Sequence, residues 1–406
     1  MAQAGSLDKT FGTAGIFTDS AGLFNNQGTT GAVVALQRDG KILAAGQIGF
    51  NTGIVRLNTN GTVDSTFGTD GTVVISNIGQ SQIIGIAVQS DGKILTGISN
   101  ITNDDIPKFI LARLNTNGAI DTTFGTAGIV ETIVPPFGAF ADVMALQPDG
   151  KILVAGSSAM ARYETTGQLD STFGQGGIAN ILAVSPTAIA RQPDGKILIA
   201  DGGASTAIFP EPGPGFSSPA GVISRYNANG ALDNAFGIFG QAASVAAVSA
   251  IVVETQNGSV SNILVAGTVD TGGNSTGFGL VRFSSNGSID TAFGTNGGAI
   301  TTFPGLASAF ALGVQANGEI VAAGAAAPGT PSGASAFALA RYEGIGALDS
   351  GFGSGGKVTT AFGSNLAAIY ALAIQGDGKI VVVGSSQHGT QGNQPGGLVV
   401  ARYLSE

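Results

Sequence analysis

The sequence predicts an all-β chain in which one four-stranded unit recurs seven times around a ring. Three observations carry that prediction. Three short motifs recur seven times each, intact or altered, along the 406 residues. Glycine-containing turn pairs separate short runs of apolar and β-branched residues, which is the pattern of strands and hairpins. No segment keeps the 3.6-residue apolar period of an amphipathic helix. Self-similarity at a period of this size marks a repeat architecture.

The elements follow in order within one unit. The first strand is the run before a glutamine, such as Val143–Gln147, in the motif Gln-x-Asp-Gly-Lys-Ile at Gln37, Gln89, Gln147, Gln192 and Gln375. The motif survives in altered form at Gln315 and most poorly around Gln256–Gly258. Its Asp-Gly pair predicts a two-residue hairpin, because both residues tolerate positive φ. The second strand follows at once (Lys151–Gly156), and after a variable loop the third ends in an arginine, as in Phe337–Tyr342. An Asn-Gly turn then leads through Leu/Ile/Val-Asp-x-x-Phe-Gly to the fourth strand, for example Gly128–Thr132. The phenylalanines of this last motif are Phe11, Phe67, Phe124, Phe173, Phe236, Phe293 and Phe352, about 57 residues apart on average.

Four strands per unit and seven units fit radial blades better than a solenoid, whose coils are shorter. The phase of the ends agrees with a ring. The chain stops inside a third strand at Ala401–Tyr403 and begins with the segment that should come next, Gly5–Gly12. The expectation is a single seven-bladed β-propeller over residues 1–406, its last blade formed by 366–404 and completed by residues 1–19 as fourth strand. Closure of this kind removes exposed sheet edges. Through Leu-Asp-x-Thr-Phe-Gly, Gln-x-Asp-Gly-Lys-Ile and Ala-Arg-Tyr, the chain resembles the bacterial delta-60 repeat family along essentially its whole length. That resemblance implies a secreted or surface propeller and transfers no catalytic or binding residue.

Composition narrows the function. No cysteine and one histidine exclude disulfides, thiolate chemistry and histidine-cluster metal sites. A net charge of −9 with scattered basic residues excludes a nucleic-acid stripe. No apolar run is long enough to span a membrane. Residues 1–5 carry neither the basic start nor the apolar core of an export signal, while low charge and Gly/Ala/Thr/Asn richness suit a bacterial secreted, periplasmic or surface protein. A monomer is expected.

The most regular charges are seven arginines and seven aspartates. In order they are Arg56 and Asp64, Arg113 and Asp121, Arg162 and Asp170, Arg225 and Asp233, Arg282 and Asp290, Arg341 and Asp349, and Arg402 with Asp8. Repetition in every unit at one spacing from glycine turns predicts one structural ion pair per blade, since arginine's planar fork suits a carboxylate. The alternative reading is a ring of anion-binding arginines. Asn58–Asp64 and Asn115–Asp121 resemble fragments of calcium loops but lack their full acidic set, so structural calcium is at most a staple and no other cofactor is expected.

Recognition is expected on the face carrying the variable connections, since binding residues concentrate in loops held by rigid scaffolds. The long connections predicted are Ile98–Pro107, Gly202–Ala220, Thr268–Thr276, Ala325–Ser335 and Ser385–Gly397. Gly202–Ala220 is the most distinctive, with four prolines around Phe209, Glu211 and Phe216 and with Asp201 at its base. Asp104, Asp105 and His388 are further loop candidates. The expected function is a non-enzymatic binding or surface-interaction propeller taking a carbohydrate or protein ligand. The alternatives are a carbohydrate-active hydrolase or lyase with loop carboxylates in the central funnel, and a structural spacer of a larger surface protein.

Overall fold

The structure, a computed structural model, describes residues 3–19, 24, 32–76, 78–101, 106–202, 221–244, 246–273, 275–327, 334–363, 366–386 and 397–406. Its strands form seven four-stranded antiparallel sheets, the blades of an all-β, seven-bladed propeller. Two compact units divide the chain, Met1–Ile178 with Tyr370–Glu406, and Ala179–Ile369.

The first unit holds four blades, with strands β13 and β26 lying at its sequence boundaries. Blade 1 is β2 (Val33–Leu36), β3 (Ile42–Ile48), β4 (Asn51–Leu57) and β5 (Thr72–Ile75). Blade 2 is β6 (Gln80–Val88), β7 (Ile94–Ile101), β8 (Pro107–Leu114) and β9 (Ile129–Thr132). Blade 3 is β10 (Val143–Leu146), β11 (Ile152–Gly156), β12 (Ala159–Tyr163) and β13 (Ile178–Asn180). The C-terminal blade has the order β1 (Ile16–Thr18), β28 (Gly397–Tyr403), β27 (Ile380–Ser386) and β26 (Ala367–Ile374), so the N-terminal strand completes it. Ile16, Phe17 and Thr18 pair with Ala401, Val400 and Val399.

The second unit holds the other three blades. They are β14 (Pro186–Arg191) to β17 (Gln241–Ser244), β18 (Ala247–Gln256) to β21 (Gly298–Thr301), and β22 (Ala307–Val314) to β25 (Lys357–Thr360). Their middle strands are β15 (Ile197–Asp201), β16 (Gly221–Tyr226), β19 (Ser259–Gly272), β20 (Ser275–Ser284), β23 (Ile320–Ala326) and β24 (Ala336–Tyr342). The inner strand shifts register in all three, between Pro186 and Ala188, between Val248 and Ala250 and between Ala309 and Ala311; in the last two blades a glycine faces the shift. The facing residues are Gly267 and Gly324, where a Cβ would lie within 2 Å of a backbone carbonyl. Only glycine lets the bulge sit that close.

The first hairpin differs from the two-residue turn expected. The amide of Gly40 donates to the carbonyl of Gln37 (2.9 Å), and the amide of Gln37 donates to the carbonyl of Lys41 (2.9 Å). Gly40 has a φ of 81° while Asp39 stays at negative φ. This is a type I turn followed by a glycine bulge. The aspartate is there for its side chain: Asp39 Oδ1 accepts from the Lys41 amide at 3.1 Å, as Asp91 does from Lys93 and Asp149 from Lys151. Among the first hairpins of the blades, all within the described residues, only Asn257-Gly258 is of the two-residue kind, both residues with positive φ. In that blade register places Glu254 where the glutamine stands elsewhere and Asn262 where the lysine stands. Two further corrections concern connections. Thr268–Thr276 is a continued ribbon of β19 and β20, and β7 and β8 extend into the span 98–107. The third and fourth strands are joined by a compact double turn rather than a short hairpin, with bridges at Leu57–Val63 and Thr69–Thr72 in blade 1.

Adjacent blades within each unit are locked at this double turn. The seven repeat phenylalanines are fully buried. The amide of Gly68, after Phe67, donates to Asn117 O in the turn of the next blade (2.8 Å), and Gly12 does the same to Asn60 O (2.7 Å). Above these seams the sheets interdigitate. Leu43, Ala45 and Ile54 of blade 1 pack with Ile83, Ile98 and Ile110 of blade 2 in one cluster. Full burial of each such side chain contributes roughly 1.5–3 kcal/mol.

Candidate functional site

The repeated charges are one structural device. Every arginine meets its aspartate at 2.6–2.9 Å. The same guanidinium lies 4.4–4.7 Å from the centroid of its blade's phenylalanine ring, an attractive cation–π geometry. In five blades the lysine of the first hairpin reaches the same aspartate at 2.7–3.4 Å. Arg113 also donates to Thr165 O of the next blade (2.6 Å), and Arg402 to Thr59 O (2.5 Å). Where Glu319 replaces the lysine, Arg341 bridges Glu319 (3.0 Å) and Asp349.

This setting lowers the pKa of Asp8, Asp64, Asp121, Asp170 and Asp233. Burial pushes the Asp8 carboxyl up, but hydrogen bonds from Thr10 and the charges of Arg402 and Lys379 outweigh it and hold it at about 2. Asp64, Asp121 and Asp170 feel the same upward push of burial, and hydrogen bonds from the lysine and from the following threonine hold them well below the ordinary carboxylate range. The oxygens of the calcium-like segments are engaged likewise. Asn60 Oδ1 accepts from the amide and hydroxyl of Thr62, and Asp64 Oδ1 from those of Thr66. They bond their own turns instead of converging on a point, so this donor set does not fit a calcium ion. Among the described residues no group of three or more His, Asp or Glu could hold a metal.

Of the loop candidates, Asp201 ends β15, is half-buried, and accepts the Val184 amide at 3.0 Å. Asp104, Asp105, Phe209, Glu211, Phe216 and His388 lie outside the described residues.

Residues that the sequence passes over as site candidates lie in the first unit, at the blade ends carrying the second-to-third and fourth-to-first connections. Phe50, in the tight turn of blade 1, is 66% exposed, and Phe137, between blades 2 and 3, is 85% exposed. Phe140 on the same connection is also exposed. The connection is fixed against blade 2, since Ala139 donates to Pro107 O at 3.1 Å. Phe140 is tied to blade 3, its amide 3.1 Å from Ser157 Oγ, in a turn where Ser157 and Ser158 both take positive φ.

Beneath Phe50 a polar row crosses the sheet. Ser81 pairs with Asn100, and Asn100 with Lys108; all three are buried. The Ser81 amide donates to Phe50 O (2.9 Å), and Lys108 Nζ meets Glu131 at 3.2 Å. Asn100 is 2% exposed, and both its side-chain oxygen and nitrogen are without a hydrogen-bond partner. Burial of an unsatisfied amide costs about 1–3 kcal/mol, and such groups in native proteins call for a functional or solvent explanation. The sequence signal for this row is faint: polar residues at inward positions of otherwise apolar strands.

Blades, seams and repeated motifs define a β-propeller built from one recurring unit. Six segments, 37–67, 89–124, 147–173, 262–293, 315–352 and 375–406, match the family described as a domain of unknown function (DUF5122) beta-propeller, the delta-60 repeat, and the chain belongs to that family. No curated protein matches it. Among solved structures it is similar to a streptogramin B lyase at a TM-score of 0.54, with 13% identity over 96% of each chain. It is also similar to a polysaccharide lyase of family PL25, an ulvan lyase, at 0.51, with 12% identity over 95% of each chain. Identities this low show the fold alone.

Proposed function

We propose that this protein is a non-enzymatic binding propeller that recognises a glycan or protein on the loop ends of blades 1 to 3, at the surface of or outside a bacterial cell. One observation supports the reading most: Phe50, Phe137 and Phe140 stand exposed on fixed connections, whereas every phenylalanine of the repeat is buried. Exposed aromatics held by rigid elements provide stacking area without an ordering cost, and such anchors usually dominate recognition. The exposed Glu131, held by the buried Lys108, gives the platform a polar margin. Asp201, Phe209, Glu211 and Phe216, in and before the segment Gly202–Ala220, and Asp104, Asp105 and His388 are further candidate ligand contacts in this proposal.

The test is a glycan array and a surface-protein capture screen with the full-length chain, followed by Phe50→Ala with Phe137→Ala. Affinity for any captured partner should fall at least tenfold with circular dichroism unchanged. Equal affinity in the double variant, and again after shortening Gly202–Ala220 to a Gly-Ser turn, would remove recognition from these ends.

A further inference from the structure

The opposite blade ends of the first unit contain a cleft of about 680 Å³ formed by the first hairpins of blades 1, 2 and 3. Its size lies within the range of small-molecule sites. The apolar part is made by the last residues of the three inner strands, Leu36, Val88 and Leu146. Gln89 and Gln147 form part of its wall, and both are more than nine-tenths buried. The side-chain carbonyl of each has no hydrogen-bond donor. The terminal torsion of glutamine is soft, so either amide turns toward an arriving hydroxyl at little cost.

Charge along the lining is mixed: Lys93 and Arg113 also line the cleft, and both are ion-paired to Asp121. Asp91 and Asp149 each use one oxygen to cap their own turn and bring a carboxylate to the edge. Arg38 is exposed beside them and is ion-paired to nothing among the described residues. Its place in the motif is taken by Ser90, Pro148, Pro193, Ala316 and Gly376 in other blades, so the repeat does not require an arginine there. The cleft therefore has a feature that the scaffold does not explain.

We infer that this cleft binds a neutral, hydroxyl-rich ligand of mono- to disaccharide size. An anion would meet Asp91 and Asp149, and a cation would meet Arg38. A hydroxyl both donates and accepts, so it satisfies the glutamine carbonyls, the carboxylates and the guanidinium together, while the C–H face of a sugar ring covers Leu36, Val88 and Leu146. None of these residues belongs to the loop ends proposed above.

Saturation-transfer NMR on the full chain with maltose, cellobiose and lactose tests the inference, with glucuronate and spermidine as charged controls. At least one disaccharide should receive saturation, and its affinity should fall tenfold or more in Gln147→Leu and in Arg38→Ala. Gln147→Leu removes an unpartnered carbonyl, so its Tm should not drop; Arg38→Ala, at an exposed position, keeps the test valid if it does. Four results would overturn the inference. They are no transfer to any disaccharide, affinity unchanged in both variants, preference for either charged control, or binding lost only in Phe50→Ala with Phe137→Ala. The last would leave the loop-end reading standing, and failure of that reading would leave this one untouched.

Discussion

Arg113 meets its surroundings four ways: Asp121 at 2.7 Å, Thr165 O at 2.6 Å, the Thr123 hydroxyl at 3.3 Å and the face of Phe124. Removing it leaves Asp121 buried with Lys93 as its remaining cation. Arg113→Ala should therefore destabilise by roughly 3–5 kcal/mol in urea unfolding, as broken buried pairs do. Arg282 is the contrast. Its partner Asp290 has a more exposed side chain (22%) and no lysine, since Asn262 takes that place. Arg282→Ala should cost only about 1–2 kcal/mol, and equal losses at the two sites would refute burial as the cause. The aspartates also set an acid limit. The folded pKa values of Asp8, Asp64, Asp121 and Asp170 lie below the ordinary value of 3.8, so the unfolded chain binds more protons as pH falls through 4. The stability they supply is full above that value and is lost as pH drops toward 2 and below. Tm should stay level from pH 7 to about 5 and fall steeply below 4, and in Asp121→Asn the fall should be shallower.

The repeat works as an element because the Asn-Gly turn of one blade is shaped to the phenylalanine of the one before. Gly118 has a φ of 89°, and a Cβ there would lie 2.8 Å from Val73 Cγ2, 2.9 Å from Gly68 N and 3.0 Å from the Phe67 ring. Gly258 has a φ of 78° with nothing within 4 Å. Gly258→Ala should cost only the left-handed penalty of about 1–2 kcal/mol, and Gly118→Ala clearly more; the difference, read from urea midpoints, measures the seam. These elements differ in how far they were legible. Strand order and the sharing of one blade by both chain ends followed from motif phase, because turns and β-branched runs are local signals. The Asp-Gly pair of the first hairpin suits both a two-residue turn and a glycine-bulged one, and only the backbone shows that Asp39 keeps negative φ. Thr268–Thr276 looked like a loop because Gly272 and Gly273 are turn residues, yet the ribbon runs on to them. The buried Ser81–Asn100–Lys108 row and the cleft beside Gln89 and Gln147 were illegible because they arise from register and from neighbouring blades, neither of which a single repeat encodes.

At the scale of the whole molecule, residues far apart in the chain complete one blade. Arg402 holds Asp8 at 2.9 Å, the amide of Asp8 donates to Arg402 O (2.8 Å), and Gly5 donates to Leu404 O (2.8 Å). Phe11 is buried in the cluster that contains Val381, Val383 and Val400. Deleting residues 1–19 would remove the outer strand from β28, strip Arg402 of its carboxylate, leave Lys379 with Asp377 alone, and open a void where the Phe11 ring sits. An unpaired, apolar edge strand is a template for association, and large cavities alone cost several kcal/mol. The truncated chain should therefore appear in light scattering as aggregates, with little folded monomer on size exclusion. Deleting residues 1–4 tests whether the strand matters rather than chain length. It spares Gly5, Asp8, Phe11 and every rung of β1, so this shorter deletion should elute on size exclusion as the full-length chain does, with its Tm unchanged. A supplied peptide of residues 1–19 should restore monomer to the longer deletion, because the pairing is non-covalent and the site on β28 is left open. If the 1–19 deletion stays monomeric and melts at the full-length temperature, the shared blade contributes nothing to stability.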